Sequence, residues 1–161
     1  MKFKTSLGTT SIIITIAVTI LFAILIGGQF SLIKDAGHAN PFYTTVACLI
    51  FYFIAFAFRP IRYVITNDEI IIIRPFVNAY IKRSDIVNVE CLDRNKIKSS
   101  IRTFGIGGLF GFYGNFANLS LGRMTWYITR KDKLVQLMTN DNKKIILSPN
   151  ETELFIQAMA S

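Results

Sequence analysis

Two long stretches without a charged side chain fill the first third of the chain and constrain what it can fold into. The first covers residues 5–33 and the second residues 36–58. Their apolar cores read SIIITIAVTILFAILI and FYTTVACLIFYFIAFAF. Because a membrane-spanning helix needs about 20 predominantly apolar residues, the pattern predicts a transmembrane helical hairpin over residues 1–58. Its helices are expected at about 9–30 and 40–58.

A cleaved signal peptide is the alternative interpretation of the first stretch, because Lys2 and Lys4 precede it. A signal peptide has an apolar region of roughly 7–15 residues that ends in a small-residue cleavage site. No good site of that kind closely follows the apolar core, although Ala39 lies downstream. We therefore expect the first helix to remain in the protein.

Basic residues flank the outer ends of the predicted hairpin. Lys2 and Lys4 precede the first helix, and Arg59 and Arg62 follow the second, whereas the connecting residues 27–40 carry one lysine offset by an aspartate. Loops rich in lysine and arginine stay on the cytoplasmic side of a membrane. Both termini are therefore expected in the cytoplasm.

Beyond residue 58 the sequence changes to short, alternating, β-branched segments, which predicts a separate cytoplasmic domain over residues 59–161. The segments at 62–66 and 70–74 are separated by Asn-Asp-Glu, a turn-forming interval, and predict a β-hairpin. Further strands are expected at 86–92, 124–129, 134–139 and 143–147. Trp126 is interpreted as a core residue of its strand.

The two cysteines are not expected to pair. Cys48 lies in the second predicted helix, and Cys91 lies in the domain. The alternation in residues 86–92 places Val87, Val89 and Cys91 on one face, which predicts that Cys91 is a small buried residue. Thiols in a cytoplasmic domain stay reduced.

The last segment carries the signature of a helix start. Ser148 is a predicted N-cap, Pro149 takes the first helical position, and Glu151 completes a capping box. The apolar stripe that follows should pack against the sheet; it consists of Leu154, Phe155, Ala158 and Met159. The expected architecture is α+β, with about six or seven antiparallel strands closed by this helix.

Five segments of the domain resemble the bacterial pleckstrin-homology-like (PH-like) family, whose members often follow transmembrane helices. These segments are YVITNDEIIIIRP, IKRSDIVNVE, RTFGIGGLFGFYGNF and the closing GRMTWYITRKDKLVQLMT with KKIILSP. The resemblance covers roughly residues 60–160 and implies a split, bent β-barrel with a capping helix, no established catalytic residues, and a place at the bacterial inner membrane. Eukaryotic relatives bind inositol phospholipids through basic residues in the first strand loops, where this chain has Asn67, Asp68 and Glu69.

The segment FGIGGLFGFYG, residues 104–114, is rich in glycine and aromatic residues. It lacks the G-x-G-x-x-G spacing of dinucleotide-binding loops and the Lys-Ser/Thr pair that ends a P-loop. Two interpretations remain: a tight corner of the barrel whose aromatic residues fill the interior, or a wedge that contacts the membrane or a partner. Under the second interpretation the candidate contact residues are Lys96, Lys98, Arg102, Phe110, Phe112 and Arg123.

Charge and residue types narrow the expected function. Residues 59–161 contain 15 Lys or Arg and nine Asp or Glu, a net charge of about +6 that suits an anionic membrane surface. Recognisable catalytic or metal-binding patterns are missing from the sequence, so neither an enzyme nor a cofactor is expected, and nucleic acid is not the expected partner. The prediction is a membrane-anchored binding or scaffold module that contacts anionic lipid headgroups or a protein. The alternative is a structural subunit of a membrane homo-oligomer, in which Gly27 and Gly28 allow close helix contact.

Overall fold

The computed structural model describes residues 1–36 and 40–160. In this part of the chain the helices are α1 (Thr9–Ala36), α2 (Asn40–Ala57), α3 (Arg94–Ile97) and α4 (Thr152–Ala160). The strands are β1 (Lys2–Lys4), β2 (Arg62–Ile65), β3 (Glu69–Ile73), β4 (Ala79–Lys82), β5 (Ile86–Cys91), β6 (Ile101–Gly108), β7 (Gly111–Asn118), β8 (Gly122–Ile128), β9 (Val135–Thr139) and β10 (Lys144–Leu147). A short 3-10 helix, Arg83–Asp85, joins β4 to β5.

The two long helices form an antiparallel pair. Helix α1 contains one stretch, Thr9–Gly28, that is long and apolar enough to cross a membrane. Its mean hydropathy is 2.6, and only 6% of its most apolar 18 residues are buried within the protein. The apolar part of α2, Phe42–Ala57, is shorter than the 18 residues taken as the minimum for such a stretch. The helices contact each other where the hydroxyls of Thr19 and Tyr52 form a hydrogen bond of 2.8 Å.

The first strand, which the sequence analysis missed, precedes both long helices and belongs to the domain. Phe3 of β1 lies opposite Tyr63 of β2 in an antiparallel pair, and the terminal amino group of Met1 donates to the Ile65 carbonyl at 2.6 Å. The four-stranded sheet has the order β1-β2-β3-β4. The helix pair is therefore inserted between two neighbouring strands, and both of its outer ends adjoin the same domain.

The second sheet corrects two parts of the predicted architecture. Its order is β5-β9-β10-β8-β7-β6, and β10 pairs parallel with β8. The described residues thus contain ten strands in two sheets that form no closed barrel, instead of the predicted split barrel of six or seven antiparallel strands. The parallel pair arises because β9 and β10 form a hairpin that folds back and inserts β10 between β9 and β8.

Two apolar clusters fill the domain. In the first, Phe155 of α4 packs edge-to-face against Tyr63 and Phe3, with ring centroids 6.2 and 5.1 Å away. The second is centred on Trp126, which is 1% exposed and stacks on Phe116 at 4.0 Å. The interpretation of Trp126 as a core residue is confirmed.

The predicted start of the terminal helix is wrong by one turn. Ser148 is buried and does not cap a helix: its hydroxyl accepts the N–H of Thr129 at 2.9 Å, and its own N–H donates to the Tyr63 hydroxyl at 3.0 Å. These contacts tie the end of β10 to β8 and β2. Helix α4 begins instead at Thr152.

The predicted apolar stripe of α4 is only partly correct. Phe155 and Ala158 are buried, and Met159 packs at the edge of the core. Leu154 is 54% exposed, and Ile156 takes its place against the core. The buried face of α4 is thus turned slightly from the predicted stripe, away from Leu154 and toward Ile156.

The predicted burial of Cys91 is also wrong. The pairing of β5 with β9 shifts register between Ile86 and Asn88, which leaves Val87 as a bulge residue that is 68% exposed. Cys91 is exposed as well, whereas Val89 packs against the core. The bulge explains the exposure of Val87, and Cys91 is exposed at the last position of β5. Both cysteines are free thiols.

Candidate functional site

The glycine-rich segment lies in a β-hairpin formed by β6 and β7, with the turn at Leu109 and Phe110. We call residues 101–118 the docking hairpin. Gly105 and Gly114 are paired across it, both with positive φ, and a side chain on either would collide with the backbone of the opposite strand. The glycines therefore let the two strands lie closely together.

The docking hairpin lies directly against α1. Gly108 has a φ of 119°, and a Cβ added there would fall on the side chain of Ile14. Phe110 also has a positive φ, 57°, and its backbone N–H donates to the Thr15 hydroxyl at 3.0 Å. Residues without a β-carbon allow this close approach of strand and helix.

The tip of the docking hairpin also packs on α2. The ring of Phe110 lies edge-to-face against Tyr52 at 5.1 Å and Phe56 at 5.6 Å. The hydroxyl of Tyr113 donates to the carbonyl of Ala55, and burial raises the pKa of this phenol. The tip thus contacts both helices. The domain is attached to the helix pair at three places: at β1 before α1, at β2 after α2, and through this hairpin.

Two arginines lie at the domain end of α2. The guanidinium carbon of Arg59 lies 4.4 Å from the Phe56 ring centroid, and that of Arg74 lies 5.4 Å from the ring of Phe58 and 5.7 Å from that of Tyr127. The Nε atoms of both arginines are buried without a hydrogen-bond partner. No carboxylate forms an ion pair with either arginine among residues 1–36 and 40–160.

Arg74 lines a cleft between the last turns of α2 and the second sheet, which we call the α2 groove. Its volume is about 490 Å³. Its lining is largely apolar and includes Ile54, Phe58, Phe104, Tyr113 and Tyr127, with the backbone of Gly105 and Gly114.

A second cleft, the cationic cavity, lies at the start of α1. It has a volume of about 310 Å³ and is lined by residues 7–11, Phe112, Arg94 and residues 130–132. The Lys131 ammonium lies 4.0 Å from the centroid of the Phe112 ring. Burial and the nearby charge of Arg94 lower the pKa of Lys131. Arg130 is paired with Asp132, so Arg94 and Lys131 supply the net positive charge.

The candidate contact residues predicted from the sequence lie in different places. Phe110 and Phe112 are 8% and 5% exposed, the first against the helices and the second in the Trp126 cluster. The other four are exposed: Lys96 in α3, Lys98 at its end, Arg102 in β6 and Arg123 in β8.

The four basic residues have different positions relative to the hairpin tip. The Lys96 carbonyl accepts from Asn118, the last residue of β7 and about 23 Å along the strand from the tip. Arg123 lies opposite Ala117, near the same end. The side chain of Arg102 reaches along β6 to Gly107.

Sequence reasoning missed Arg74 and Lys131 as candidate site residues. Arg59 and Arg74 share a signal that could have been used, since each is a single charge at the end of an apolar run and is followed by proline. Lys131 has no local signal, because its position beside Phe112 and α1 depends on contacts distant in sequence. Within the described residues no group of three or more His, Cys, Asp or Glu side chains could hold a metal ion.

Comparison with known proteins identifies the domain. A family model described as the bacterial PH domain matches residues 61–161, from the start of β2 to the carboxyl terminus. No curated protein and no solved structure matches the chain. The matched residues include strands β2 to β10 and helix α4, but not β1 or the two long helices. Two sheets followed by a terminal helix are consistent with a PH-like fold. Because it covers more than half of the chain, this protein belongs to the bacterial PH domain family.

Proposed function

We propose that this chain is an integral membrane protein whose PH-like domain binds anionic phospholipid headgroups at the cytoplasmic face of the bacterial inner membrane. In this proposal both α1 and α2 cross the bilayer, and both termini are cytoplasmic. The basic residues that flank the helix pair support this orientation. The domain acts as a binding or scaffold module, with no catalytic step and no role for nucleic acid.

One observation carries the proposal: the cationic cavity adjoins the first residue of the apolar stretch of α1. That stretch begins at Thr9, and Thr9, Thr10 and Ser11 line the cavity together with Arg94 and Lys131. A cavity at the end of a membrane-spanning segment lies at the depth of the lipid headgroups. Near an anionic leaflet each basic residue contributes about 1 kcal/mol to binding.

The rigid attachment of the domain supports the same conclusion. The domain is fixed to the helix pair at strand β1 before α1, at strand β2 after α2 and at the tip of the docking hairpin. The cationic cavity therefore keeps a constant height relative to the helices. A domain on a flexible linker would meet the headgroups only part of the time.

The test uses the full chain, reconstituted into membranes that contain spin-labelled anionic or zwitterionic phospholipid. Electron paramagnetic resonance gives the selectivity of the protein for the anionic lipid. We expect selectivity that falls with added salt and that falls in the double variant R94Q/K131Q. The double variant K96Q/K98Q removes the same charge at the sequence-predicted contact residues and serves as the matched control. Equal selectivity in the wild type and R94Q/K131Q would contradict a role of the cationic cavity.

A structural subunit of a homo-oligomer is the second candidate function. Its support is the open surface of α1 at Gly27 and Gly28, where a Cβ would meet nothing within 4 Å. Small residues of this kind let a second helix approach closely. Mass measurement of the intact protein in detergent distinguishes the two candidates: a discrete oligomer that G27L/G28L dissociates would support the structural subunit.

A further inference from the structure

We propose that the α2 groove is a specific binding site for one membrane glycerophospholipid, with an acyl chain in the groove and the phosphate on Arg74. The proposal rests on the proposed function, because the lipid can enter only if α2 lies in the bilayer. It adds a defined site to the general attraction for anionic headgroups.

The state of Arg74 points to an anionic ligand. Its Nε is buried without a hydrogen-bond partner, and none of the described residues forms an ion pair with it. A buried donor without an acceptor is unfavourable, and more so when it carries charge. The ring centroids of Phe58 and Tyr127 lie 5.4 and 5.7 Å from the guanidinium carbon, and these contacts hold the guanidinium at the groove. A phosphate oxygen is a well-matched acceptor for this planar group.

The shape of the groove indicates a lipid and not a soluble phosphate compound. Its lining is apolar apart from Arg74, Asn115 and Thr125, and its volume of about 490 Å³ lies in the range of small-molecule sites. Such a lining offers a soluble, highly charged ligand few polar partners, whereas it suits a hydrocarbon chain next to a single phosphate. The headgroup beyond the phosphate needs no further pocket.

The apolar surface continues from the groove along α2. Ile50, Ile54 and Phe58 are spaced four residues apart, so they form one stripe of the helix. Their exposed fractions are 54%, 46% and 39%. Ile54 and Phe58 line the groove, and Ile50 extends the stripe by one turn away from the domain. An acyl chain with its phosphate at Arg74 would follow this stripe toward the centre of the bilayer.

The paired glycines of the docking hairpin form part of the groove wall on the sheet side. Gly105 and Gly114 contribute only backbone to the lining. A side chain at either position would strike the neighbouring strand, so the sequence here permits no larger residue. This part of the groove wall is therefore bare backbone, beside the rings of Phe104 and Tyr113.

The experiment measures phospholipid retained by the full chain, purified in a mild detergent, by native mass spectrometry. Phosphatidylglycerol is the probe, titrated against each variant. Arg74→Gln removes the cation, with Arg123→Gln, an exposed arginine outside the groove, as its matched control. Ile54→Trp fills the groove, with Ile24→Trp, an exposed position on α1, as its control. Circular dichroism confirms that each variant is folded.

We expect one tightly held phosphatidylglycerol in the wild type and in both controls. Binding should weaken about tenfold in Arg74→Gln, as expected for the loss of a charged hydrogen bond, and should also weaken in Ile54→Trp. Retention in Arg74→Gln equal to that in Arg123→Gln would overturn the proposal. If R94Q/K131Q lost its lipid selectivity while Arg74→Gln kept its lipid, the groove would be excluded and the proposed function would stand. Absence of the chain from membranes would exclude both.

Discussion

Phe3 packs edge-to-face on Phe155, with ring centroids 5.1 Å apart, and so joins the strand before the helix pair to the last helix of the chain. Phe3 is 5% exposed, and Phe155 is fully buried. Residues at the two ends of the sequence therefore share one core. The amino-terminal segment is a structural part of the PH-like domain and not only a flank of the first helix.

Phe3→Ala should lower the stability of the domain by about 3–5 kcal/mol, the usual cost of truncating a buried phenylalanine. The measurement is thermal unfolding of the full chain, followed by loss of β-sheet signal. Lys2→Ala is the control, since Lys2 is exposed in the same strand. An unchanged midpoint in Phe3→Ala would show that β1 contributes nothing to the core.

Gly108→Ala should separate the docking hairpin from α1, because the added Cβ collides with Ile14 and the φ of 119° is strained for alanine. Hydrogen exchange should accelerate in residues 104–114 by at least about fivefold, equivalent to roughly 1 kcal/mol of lost local stability. Gly27→Ala is the matched control, since its Cβ would meet nothing within 4 Å. Equal rates of hydrogen exchange in the two variants would contradict the contact of Gly108 with Ile14.

Phe110→Ala and Phe112→Ala should have different effects although the residues are two positions apart. Phe110 contacts Tyr52 and Phe56 of α2, so its loss should expose the hairpin tip to protease without unfolding the sheets. Phe112 lies in the Trp126 cluster, so its loss should destabilise the whole domain by about 3–5 kcal/mol. Limited proteolysis and the fluorescence of Trp126 distinguish the two effects. Similar global unfolding in both variants would contradict this division.

Tyr63→Phe should destabilise the domain by about 1–3 kcal/mol, because the Ser148 N–H and the Tyr127 carbonyl both lose their partner. The variant should also change the response to alkaline pH. Burial raises the pKa of Tyr63 above its usual 10.0, so above pH 10.0 the unfolded chain loses the proton first and stability falls as pH rises. Denaturant unfolding from pH 8 to 11 should show a smaller decline in Tyr63→Phe. Identical slopes would argue against burial of the phenol.

Lys131 gives a direct spectroscopic test of the cationic cavity. Burial and Arg94 lower its pKa, so the unfolded chain holds this proton more tightly and stability rises with pH up to the usual pKa of 10.5. An anionic headgroup in the cavity should raise the pKa again, because it favours the charged form. Nuclear magnetic resonance of labelled lysine side chains measures this pKa in anionic and in zwitterionic membranes. The same value in both would argue against headgroup contact.

Local patterns predicted the parts of the fold that depend on neighbouring residues. The hairpin of β2 and β3 was predicted from its β-branched runs and its turn, and the terminal helix from its apolar spacing. Strand β1 could not be predicted in this way, because three residues are too few to show a periodicity. Its partner, β2, also lies beyond both long helices in the sequence. The parallel pairing of β10 with β8 could not be predicted from local pattern either, because it arises when the hairpin of β9 and β10 folds back onto β8.

The site was less predictable than the fold for the same reason. The sequence predicted Phe110 and Phe112 as candidate contact residues, but not that one contacts the helices and the other the core. That difference depends on the hairpin register and on the contact of Gly108 with Ile14. The bulge at Val87 and the exposure of Cys91 at the end of β5 also have no signature in the alternating pattern.

The insertion of the helix pair between β1 and β2 couples biogenesis to folding. Strand β1 is synthesised first, yet its partner β2 appears only after both helices have left the ribosome. If both helices cross the membrane as proposed, failure of one to cross would leave β1 and β2 on opposite faces of the bilayer, and the sheet would lack its edge strand. In the proposed topology, completion of the four-stranded sheet therefore depends on correct insertion of both helices, and a misinserted chain would expose an incomplete core to proteolysis.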